Sequence, residues 1–449
     1  MLKEIQWKNH KALGNLNLDF SKPDGSVYST IILAGENGTG KTTILETLGQ
    51  FLMGHSMEPF EYIDYDVNSK SFHIEPLTEQ ASFGFHARKE ATKDQVTDIW
   101  TNHNNSPDKM HNDPNDIRAY GCIYSSAKSK FDTKDIQNVT SQQIDTTQYS
   151  FDDNNDFTTI KQLLIDIATQ DSVAFTNEAK NNNQIHWTNF EPKSKMYRFQ
   201  SAFNDFFEHI KYDSIDGTTG QQRVIFKKHN HKIYIDDLST GEKQIVFRGA
   251  YLLRNIGKMD GGIILIDEPE LSMHPKWQEK ILSFYKKLFT RNNEQKGQLL
   301  IATHSEYVIR KALEDKKDTL VIILKDENGV VKPTKAEAPY LLSHLTSAEV
   351  NFSAFGIYSI DYHIELYGRL QEKTGNNTIL AMDSYIRNNI IYNTANDKMA
   401  IKNGTTITET LPTYIRNAID HPDNPSRCYT DDELKKSTDI LIKLIQAIP

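Results

Sequence analysis

The stretch TIILAGENGTGKT, residues 30–42, decides the fold. An apolar run typical of a buried strand leads into the pattern G-x-x-x-x-G-K-T, and a helical pattern continues to about Met53. The glycines let the backbone curl so that several N–H groups point at phosphate oxygens, and the helix N-terminus adds a partial positive charge. The stretch therefore predicts a phosphate-binding loop between a buried strand and a helix.

The residue types in this loop predict how a nucleotide would be held. Lys41 would reach the β- and γ-phosphates, and the hydroxyl of Thr42 would ligate Mg²⁺. We therefore expect ATP and Mg²⁺ as cofactors. The remaining ATP-binding positions expected in the loop and the first helical turn are Gly35, Asn37, Gly38, Gly40 and Thr43.

A second apolar strand is predicted in GIILIDEP, residues 262–269, and it ends in two adjacent carboxylates. Asp267 is expected to hold Mg²⁺, directly or through water, and Glu268 to polarise the attacking water as the general base. Two acids at a strand end are also compatible with an exposed turn. Beside a phosphate-binding loop, we interpret them as part of the catalytic site.

The segment LSTGEKQ, residues 238–244, opens a predicted helix upstream of that strand. It resembles the signature motif of the ABC-type ATPases, L-S-G-G-Q or L-S-x-G-E-K/Q. In that family the signature of one subunit completes the ATP site of the other. The resemblance thus implies a homodimer in which Ser239, Gly241 and Glu242 bind ATP in trans. Ser239 and Glu242 also form the pattern of a capping box, and both roles can hold at once.

Two further segments agree with this resemblance. In LIATHS, residues 300–305, His304 follows a predicted strand and takes the position of the family histidine that contacts the γ-phosphate. ELSMHP, residues 270–275, resembles the D-loop of the soluble branch, which includes RecF, SMC and overcoming-lysogenization-defect proteins and many phage-defence ATPases. For the Q-loop glutamine, Gln80 and Gln95 are both candidates by position.

The chain is predicted to be an α/β protein with two domains. We expect an ABC-type P-loop ATPase head over residues 1–345, with a helical insertion at about 130–220, and a mainly helical C-terminal domain over 346–449. Residues 101–116 and 145–156, rich in Asn and Asp, predict exposed loops.

Composition limits the function classes. The net charge of −9 argues against a protein coated in positive charge, although the basic hairpin predicted at residues 223–235 could touch nucleic acid or simply face solvent. Two cysteines, Cys122 and Cys428, exclude a disulfide framework and a cysteine-based zinc site. No apolar run is long enough to span a membrane, so we expect a cytoplasmic protein without a membrane partner.

The C-terminal segment YIRNAIDH, residues 414–421, contains the pattern R-N-x-x-x-H. It resembles the R-x4-6-H motif of the HEPN ribonucleases, which are small helical domains with metal-independent chemistry. The resemblance implies that Arg416 and His421 are catalytic and that Asn417 supports them, with Glu365 as a further candidate.

A structural interpretation of this segment stays open. Positions i and i+5 do not share a face of a regular helix, so Arg416 and His421 would diverge. A near copy, YIRNNI at residues 385–390, has Tyr392 where the histidine would stand. The C-terminal region is therefore either a ribonuclease or a helical docking or dimerisation region.

Three functions follow as hypotheses. The first is a phage-defence ATPase that gates RNA cleavage by its own C-terminal domain. The second is an ATPase sensor or scaffold that controls a separately encoded nuclease partner. The third is a RecF-like DNA-repair ATPase, with DNA rather than RNA as its nucleic acid.

Overall fold

The computed structural model describes most of the chain and divides it into two compact units. The units are Met1–Lys335 and Ala336–Pro449. The described residues are 1–127, 136–142, 149–151, 157–181, 185–217, 220–255, 260–291, 293–315, 317–336, 341–393, 409–424 and 427–448.

The first unit contains both strands and helices. Its strands are β1 Leu2–Trp7, β2 Asn17–Asp19, β3 Thr30–Gly35, β4 Phe60–Val67, β5 Lys70–Pro76, β6 His86–Glu90, β7 Val96–Ile99, β8 Cys122–Ser125, β9 Tyr149–Phe151, β10 Ile210–Asp216, β11 Arg223–Lys228, β12 His231–Tyr234, β13 Ile263–Asp267, β14 Thr290–Arg291, β15 Glu294–Gln295, β16 Gln298–Thr303, β17 Thr319–Glu327 and β18 Val330–Lys335. Its helices are α1 Lys41–Leu52, α2 Pro107–His111, α3 Phe157–Asn181, α4 Trp187–Phe190, α5 Tyr197–Phe206, α6 Thr240–Asn255, α7 Pro275–Leu288 and α8 Glu306–Glu314.

A seven-stranded sheet forms the centre of this unit, in the order β18-β17-β3-β16-β13-β8-β9. Adjacent strands of this sheet pair in parallel, except that β18 runs antiparallel to β17. Every residue of β3, β13 and β16 is buried. Such continuous burial is expected of parallel strands covered on both faces, and it explains their unbroken apolar runs.

A six-stranded antiparallel sheet, β2-β1-β4-β5-β6-β7, shares a hydrophobic core with α1. Trp7 is fully buried, packs 5.4 Å from the ring of Phe60, and donates from Nε1 to Thr47 Oγ1 of α1 at 3.1 Å. Because α1 follows the phosphate-binding loop directly, this packing fixes the direction in which that loop faces.

The range predicted as a helical insertion contains α3, α4 and α5, but it also contains β9 and β10. β10 belongs to a three-stranded sheet with the basic hairpin, whose two strands are confirmed as β11 and β12. Lys211, Lys227 and Lys232 lie opposite one another in this sheet. Lys227 is neutralised by Asp213 at 2.5 Å.

The structure differs from one of the two predicted exposed loops, at residues 101–116, and describes only a small part of the other, at residues 145–156. Within residues 101–116, the prediction of an exposed loop is wrong in part, because α2 buries Met110 completely. Apolar side chains that are isolated in a polar segment give no periodic signal, so the sequence alone does not place them in the core. Residues 145–156 lie mostly outside the described residues, and the described part, 149–151, is strand β9.

The second unit is helical over its described residues, as predicted. Its helices are α9 Ser347–Phe355, α10 Ile360–Thr374, α11 Ile379–Asn388, α12 Leu411–Asp420 and α13 Asp431–Gln446. They enclose a separate hydrophobic core. Together with the mixed sheet of the first unit, this confirms the predicted α/β fold class with a helical C-terminal region. No helix among the described residues is long and apolar enough to cross a membrane.

Candidate nucleotide-binding site

Strand register brings the sequence motifs to one edge of the central sheet. Ala34 of β3 lies opposite Thr303 of β16, and Ala302 lies opposite Asp267 of β13. Because the carboxyl ends of parallel strands meet at the same edge, the residues that follow these strands converge there. The edge therefore carries the phosphate-binding loop, the two carboxylates and His304.

Glycine is required at two positions of the loop. At Gly35, φ is +146° and a Cβ would lie 2.3 Å from the carbonyl oxygen of Leu324 on the neighbouring strand. At Gly40, φ is +83° and a Cβ would lie 2.3 Å from a methyl group of Leu13. At Gly35 a larger residue is excluded by both strain and collision with the main chain, whereas at Gly40 the backbone strain is the main obstacle, because the Leu13 side chain can shift.

Lys41 lies inside the loop, with 5% of its surface exposed. Its ammonium group donates to the carbonyl oxygens of Gly35 at 2.9 Å and Glu36 at 2.8 Å, and lies 3.4 Å from Thr39 Oγ1. Burial lowers the pKa of Lys41 to about 8, against the opposing effect of nearby carboxylates. A partly desolvated ammonium is well placed to bind a phosphate oxygen.

Thr42 and Asp267 come together although 225 positions separate them in sequence. The hydroxyl of Thr42 donates to Asp267 Oδ2 at 2.9 Å, while Oδ1 is buried with no hydrogen-bond partner among the described residues. Burial raises the pKa of Asp267 to about 6, and the nearby charge of Glu268 raises it further. A hydroxyl and a carboxylate with a free oxygen are hard oxygen donors, so this pair fits Mg²⁺.

Glu268 and His304 form the next pair at this edge. Glu268 Oε1 lies 3.4 Å from His304 Nε2, and Glu268 has a left-handed backbone with φ of +43°. Burial lowers the pKa of His304, and the charge of Lys41 lowers it further, whereas Glu268 raises it. The neutral ring can then share a proton with the carboxylate or with a bound phosphate.

A third carboxylate, Glu270, was not assigned a catalytic or binding role by the sequence interpretation. It is 8% exposed, and its Oε1 accepts from Thr303 Oγ1 at 2.7 Å and from the main-chain N–H of His304 at 2.8 Å. Burial raises the pKa of Glu270. In the sequence, its position two residues after Glu268 is the signal that points to the site, because Thr303 and His304, its partners, lie at the end of another strand.

The signature segment begins α6. Ser239 N–H donates to Glu242 Oε2 at 2.8 Å, and Glu242 N–H donates to Ser239 Oγ at 3.4 Å, which confirms the capping box. Lys228 Nζ also contacts Glu242, at 2.9 Å. At Gly241, a Cβ would lie 3.0 Å from the Trp277 ring, so the segment is packed closely against α7.

The remaining candidates near the nucleotide site are more exposed. Asn37 and Gly38 are exposed at the tip of the loop, and Thr43 is half-buried in α1. Gln80 and Gln95, the Q-loop candidates, are both exposed. Gln80 precedes a short 3-10 turn and Gln95 precedes β7.

The C-terminal motif has structural partners. Arg416 pairs with Asp420 at 2.6 Å and donates to Asn417 Oδ1 at 3.1 Å. Asn417 in turn donates to Glu409 Oε1 at 3.1 Å. His421 is exposed and caps the end of α12. The contacts that the structure gives Arg416 are thus to its own helix, and none of them is to His421.

Glu365, the weaker candidate, also has a structural contact. Its Oε2 accepts a hydrogen bond from Thr346 Oγ1 at 2.7 Å, in front of α9. A capping box formed by Thr430 and Glu433 is present at the start of α13.

Comparison with protein families gives a match over most of the first unit. The family described as "AAA domain, putative AbiEii toxin, Type IV TA system" matches residues 31–310, a range that contains the loop, the signature segment, both carboxylates and His304. The chain belongs to this AAA-domain family. It therefore carries an ATPase-type domain.

Curated relatives of this AAA-domain protein are distant. The Septu protein PtuA of Bacillus thuringiensis is 23% identical over 329 residues, which are 70% of this chain and 74% of that protein. PtuA of Bacillus mycoides is 22% identical over 73% of this chain, but the match spans only 41% of that protein. The retron Ec83 probable ATPase of Escherichia coli is 34% identical over 94 residues, 19% of this chain and 16% of that protein.

Solved structures of SMC heads resemble the chain over its larger part. The SMC head domain from Thermotoga maritima matches with a TM-score of 0.39 and 14% identity, over 75% of this chain and 99% of that one. An SMC head bound to the winged-helix domain of ScpA matches with a TM-score of 0.41, also at 14% identity, over 75% of this chain and 98% of that one.

Asp267→Asn is expected to stabilise the nucleotide-free protein above pH 6. The pKa of Asp267 is raised from 3.8 to about 6 in the fold, so the native state binds a proton that the unfolded chain releases. Stability therefore falls as the pH rises from about 4 to about 6, and the ionised carboxylate then costs at most about 3 kcal/mol. The asparagine lacks this cost and can still accept a hydrogen bond from Thr42.

Urea unfolding at about pH 5 and about pH 7.5 measures this effect. The free energy of unfolding gained by the variant should be larger at the higher pH. The control Asp94→Asn, at an exposed aspartate, should change it by less than about 0.5 kcal/mol at both values. A gain of equal size at both pH values would contradict the assignment of Asp267 as a buried carboxylate of raised pKa.

Proposed function

We propose that this chain is a Mg²⁺-dependent ATPase that hydrolyses ATP at the edge formed by β3, β13 and β16. One observation carries the proposal: the hydroxyl of Thr42 donates to Asp267 Oδ2 at 2.9 Å, and the other oxygen of this carboxylate has no hydrogen-bond partner among the described residues. An interaction between residues so far apart in sequence has an immediate explanation if both hold the same ion. Lys41 lies at the same edge to bind the phosphates that accompany that ion.

The remaining residues have roles that follow from their contacts. Thr42 and Asp267 would hold Mg²⁺, which would supply positive charge to stabilise the phosphates. Water attacks the γ-phosphorus, its proton passes to Glu268, and the bond to the β-phosphate oxygen breaks to release ADP and phosphate. His304, whose Nε2 lies 3.4 Å from Glu268 Oε1, would orient this carboxylate and would contact the γ-phosphate of a bound nucleotide.

We propose further that a second copy of the chain completes each ATP site. Ser239, which is exposed, and Gly241, which is buried, lie at the N-terminus of α6, a helix of 16 residues, where main-chain N–H groups and the helix dipole favour an anion. Glu242 caps this turn and keeps those groups in place. Two nucleotides would then join two copies around a two-fold axis.

The ATPase would act in phage defence by gating a nuclease effector. Support comes from the Septu and retron relatives and from the resemblance of the D-loop segment to defence ATPases. We propose that the effector is a separately encoded nuclease partner, because the ion pair of Arg416 with Asp420 already gives the C-terminal motif a structural role. RNA cleavage by Arg416 and His421, and DNA-stimulated repair, are the competing outcomes of the tests.

Glu268→Gln should lower kcat for ATP hydrolysis by at least about 100-fold, because general-base catalysis contributes at least that factor. The Kd for ATP should stay within about threefold, since the amide keeps the size of the side chain. Lys41→Ala should instead lose ATP binding. Phosphate release and a fluorescent-nucleotide titration measure the two quantities.

The matched control is Glu58→Gln, at an exposed glutamate outside the site, which should leave both quantities unchanged. Full hydrolysis by Glu268→Gln would remove Glu268 as the general base. Absence of hydrolysis by the unchanged protein, with or without added DNA, would count against the ATPase itself. Stimulation by DNA at low salt would favour the repair function over defence.

The protein alone, with ATP and Mg²⁺, should leave total RNA and tRNA intact if a partner supplies the nuclease. Arg416→Ala and His421→Ala should then behave like the unchanged protein in this assay. Arg387→Ala is the control, because Arg387 forms the same kind of ion pair, with Asp383 at 2.6 Å, in the near copy of the motif. Cleavage that disappears in His421→Ala but persists in Arg387→Ala would overturn the partner proposal and make the C-terminal domain the ribonuclease.

A further inference from the structure

A buried arginine connects the signature helix to the catalytic carboxylates. Arg248 lies on α6 and is 3% exposed. Its guanidinium donates to the main-chain oxygens of Asp267 and Glu268, each at 3.3 Å, and to that of Ser126 after β8. In the described part of the chain, no carboxylate forms an ion pair with it.

Such a residue is costly to the fold. A buried cation without a paired carboxylate loses its hydration and regains only part of that free energy from carbonyl dipoles. The Nε of Arg248 is also buried without a hydrogen-bond partner among the described residues. Tyr285 of α7 interacts with Arg248 through a side-chain hydrogen bond as well as through charge, and Asp267 of β13 interacts with it through charge. A smaller apolar side chain would fill this position at lower cost to stability, so the presence of a cation here suggests a functional role.

The backbone conformation of Glu268 indicates what this role is. A non-glycine residue with φ of +43° is strained, and such strain persists only where surrounding contacts enforce it. The N–H of Glu268 donates to Ala302 at 2.9 Å, and its carbonyl oxygen accepts from Arg248 and from the N–H of Leu271 at 3.2 Å. The contacts with Ala302 and Leu271 join main-chain atoms, whereas Arg248 of α6 contributes a side chain.

We propose that Arg248 is a positioning residue, which holds Glu268 in its left-handed conformation and couples it to the signature helix. This inference rests on the proposed function. Ser239, at the start of α6, would meet the nucleotide of the other copy, and Arg248 follows nine positions later, roughly 13 Å along the same rigid helix. A shift of α6 on dimer closure therefore moves the guanidinium relative to the Glu268 carbonyl, so that hydrolysis responds to closure.

Arg248→Lys tests this coupling, because lysine keeps the charge but cannot reach three carbonyl groups with a planar fork of donors. It should lower kcat by about 100-fold, the effect expected of a displacement of about 1 Å, with the KM for ATP within about twofold. In the Glu268→Gln background the same change should have almost no further effect on residual hydrolysis, since the group that it positions is already gone. Equal effects in both backgrounds would overturn the proposal.

A second readout does not depend on catalysis. Hydrogen–deuterium exchange should become faster in peptides covering residues 267–273 of Arg248→Lys, while the amides of β3 and β16 keep their rates. Arg118→Lys is the control, because Arg118 is equally buried but pairs with Asp116, away from this segment. It should lower the Tm without changing exchange at 267–273.

The outcomes separate this proposal from the ATPase proposal. Unchanged exchange at 267–273 in Arg248→Lys rejects the positioning role, whether or not the protein hydrolyses ATP. Faster exchange in a protein without ATPase activity would leave the contact established and reject the proposed function instead. If Arg248→Lys does not fold, Arg248→Gln serves in the same measurements, because its amide is too short to replace Nη1 and Nη2 and it carries no buried charge.

Discussion

The register of three parallel strands is the constraint on which the site depends. The pairing of β3 with β16 and of β16 with β13 brings the phosphate-binding loop, Asp267, Glu268 and His304 to a single edge. A slip of one residue in β13 would turn its terminal carboxylate to the opposite face of the sheet, away from Thr42. The same apolar packing that stabilises the sheet therefore also sets the distances on which the chemistry relies.

The electrostatics of this edge favour a charged ligand. Asp267, Glu268 and Glu270 gather around one ammonium group, that of Lys41, and two of these carboxyl groups have raised pKa values because they are buried. Such an arrangement costs stability in the isolated protein. In the proposed function, a divalent cation would offset the carboxylates, and the lysine would pair with the triphosphate that accompanies the cation. A stability cost of this kind is typical of catalytic centres.

The parts of the site that consist of contiguous motifs could be predicted from the sequence. The loop around Lys41, the strand that ends at Asp267 and the helix that begins after Ser239 all carry local signals in glycine spacing, apolar runs and capping residues. Glu270 was missed as part of the site, and so was Arg248, because their roles come from contacts with residues far away in the chain. The HEPN-like reading of Arg416 and His421 is not confirmed, since a short two-residue motif cannot distinguish a helix ion pair from a catalytic pair.

The central claim is that ATP is hydrolysed between the phosphate-binding loop of one chain and the signature segment of another. Mixing two inactive variants, Lys41→Ala and Ser239→Arg, tests it most directly, because a mixed dimer regains one intact site. If the chains exchange freely, half of the dimers are mixed, so hydrolysis should recover to about a quarter of the unchanged protein's rate. A mixture that exchanges subunits, as measured by energy transfer between labelled chains, and yet stays inactive would contradict the claim.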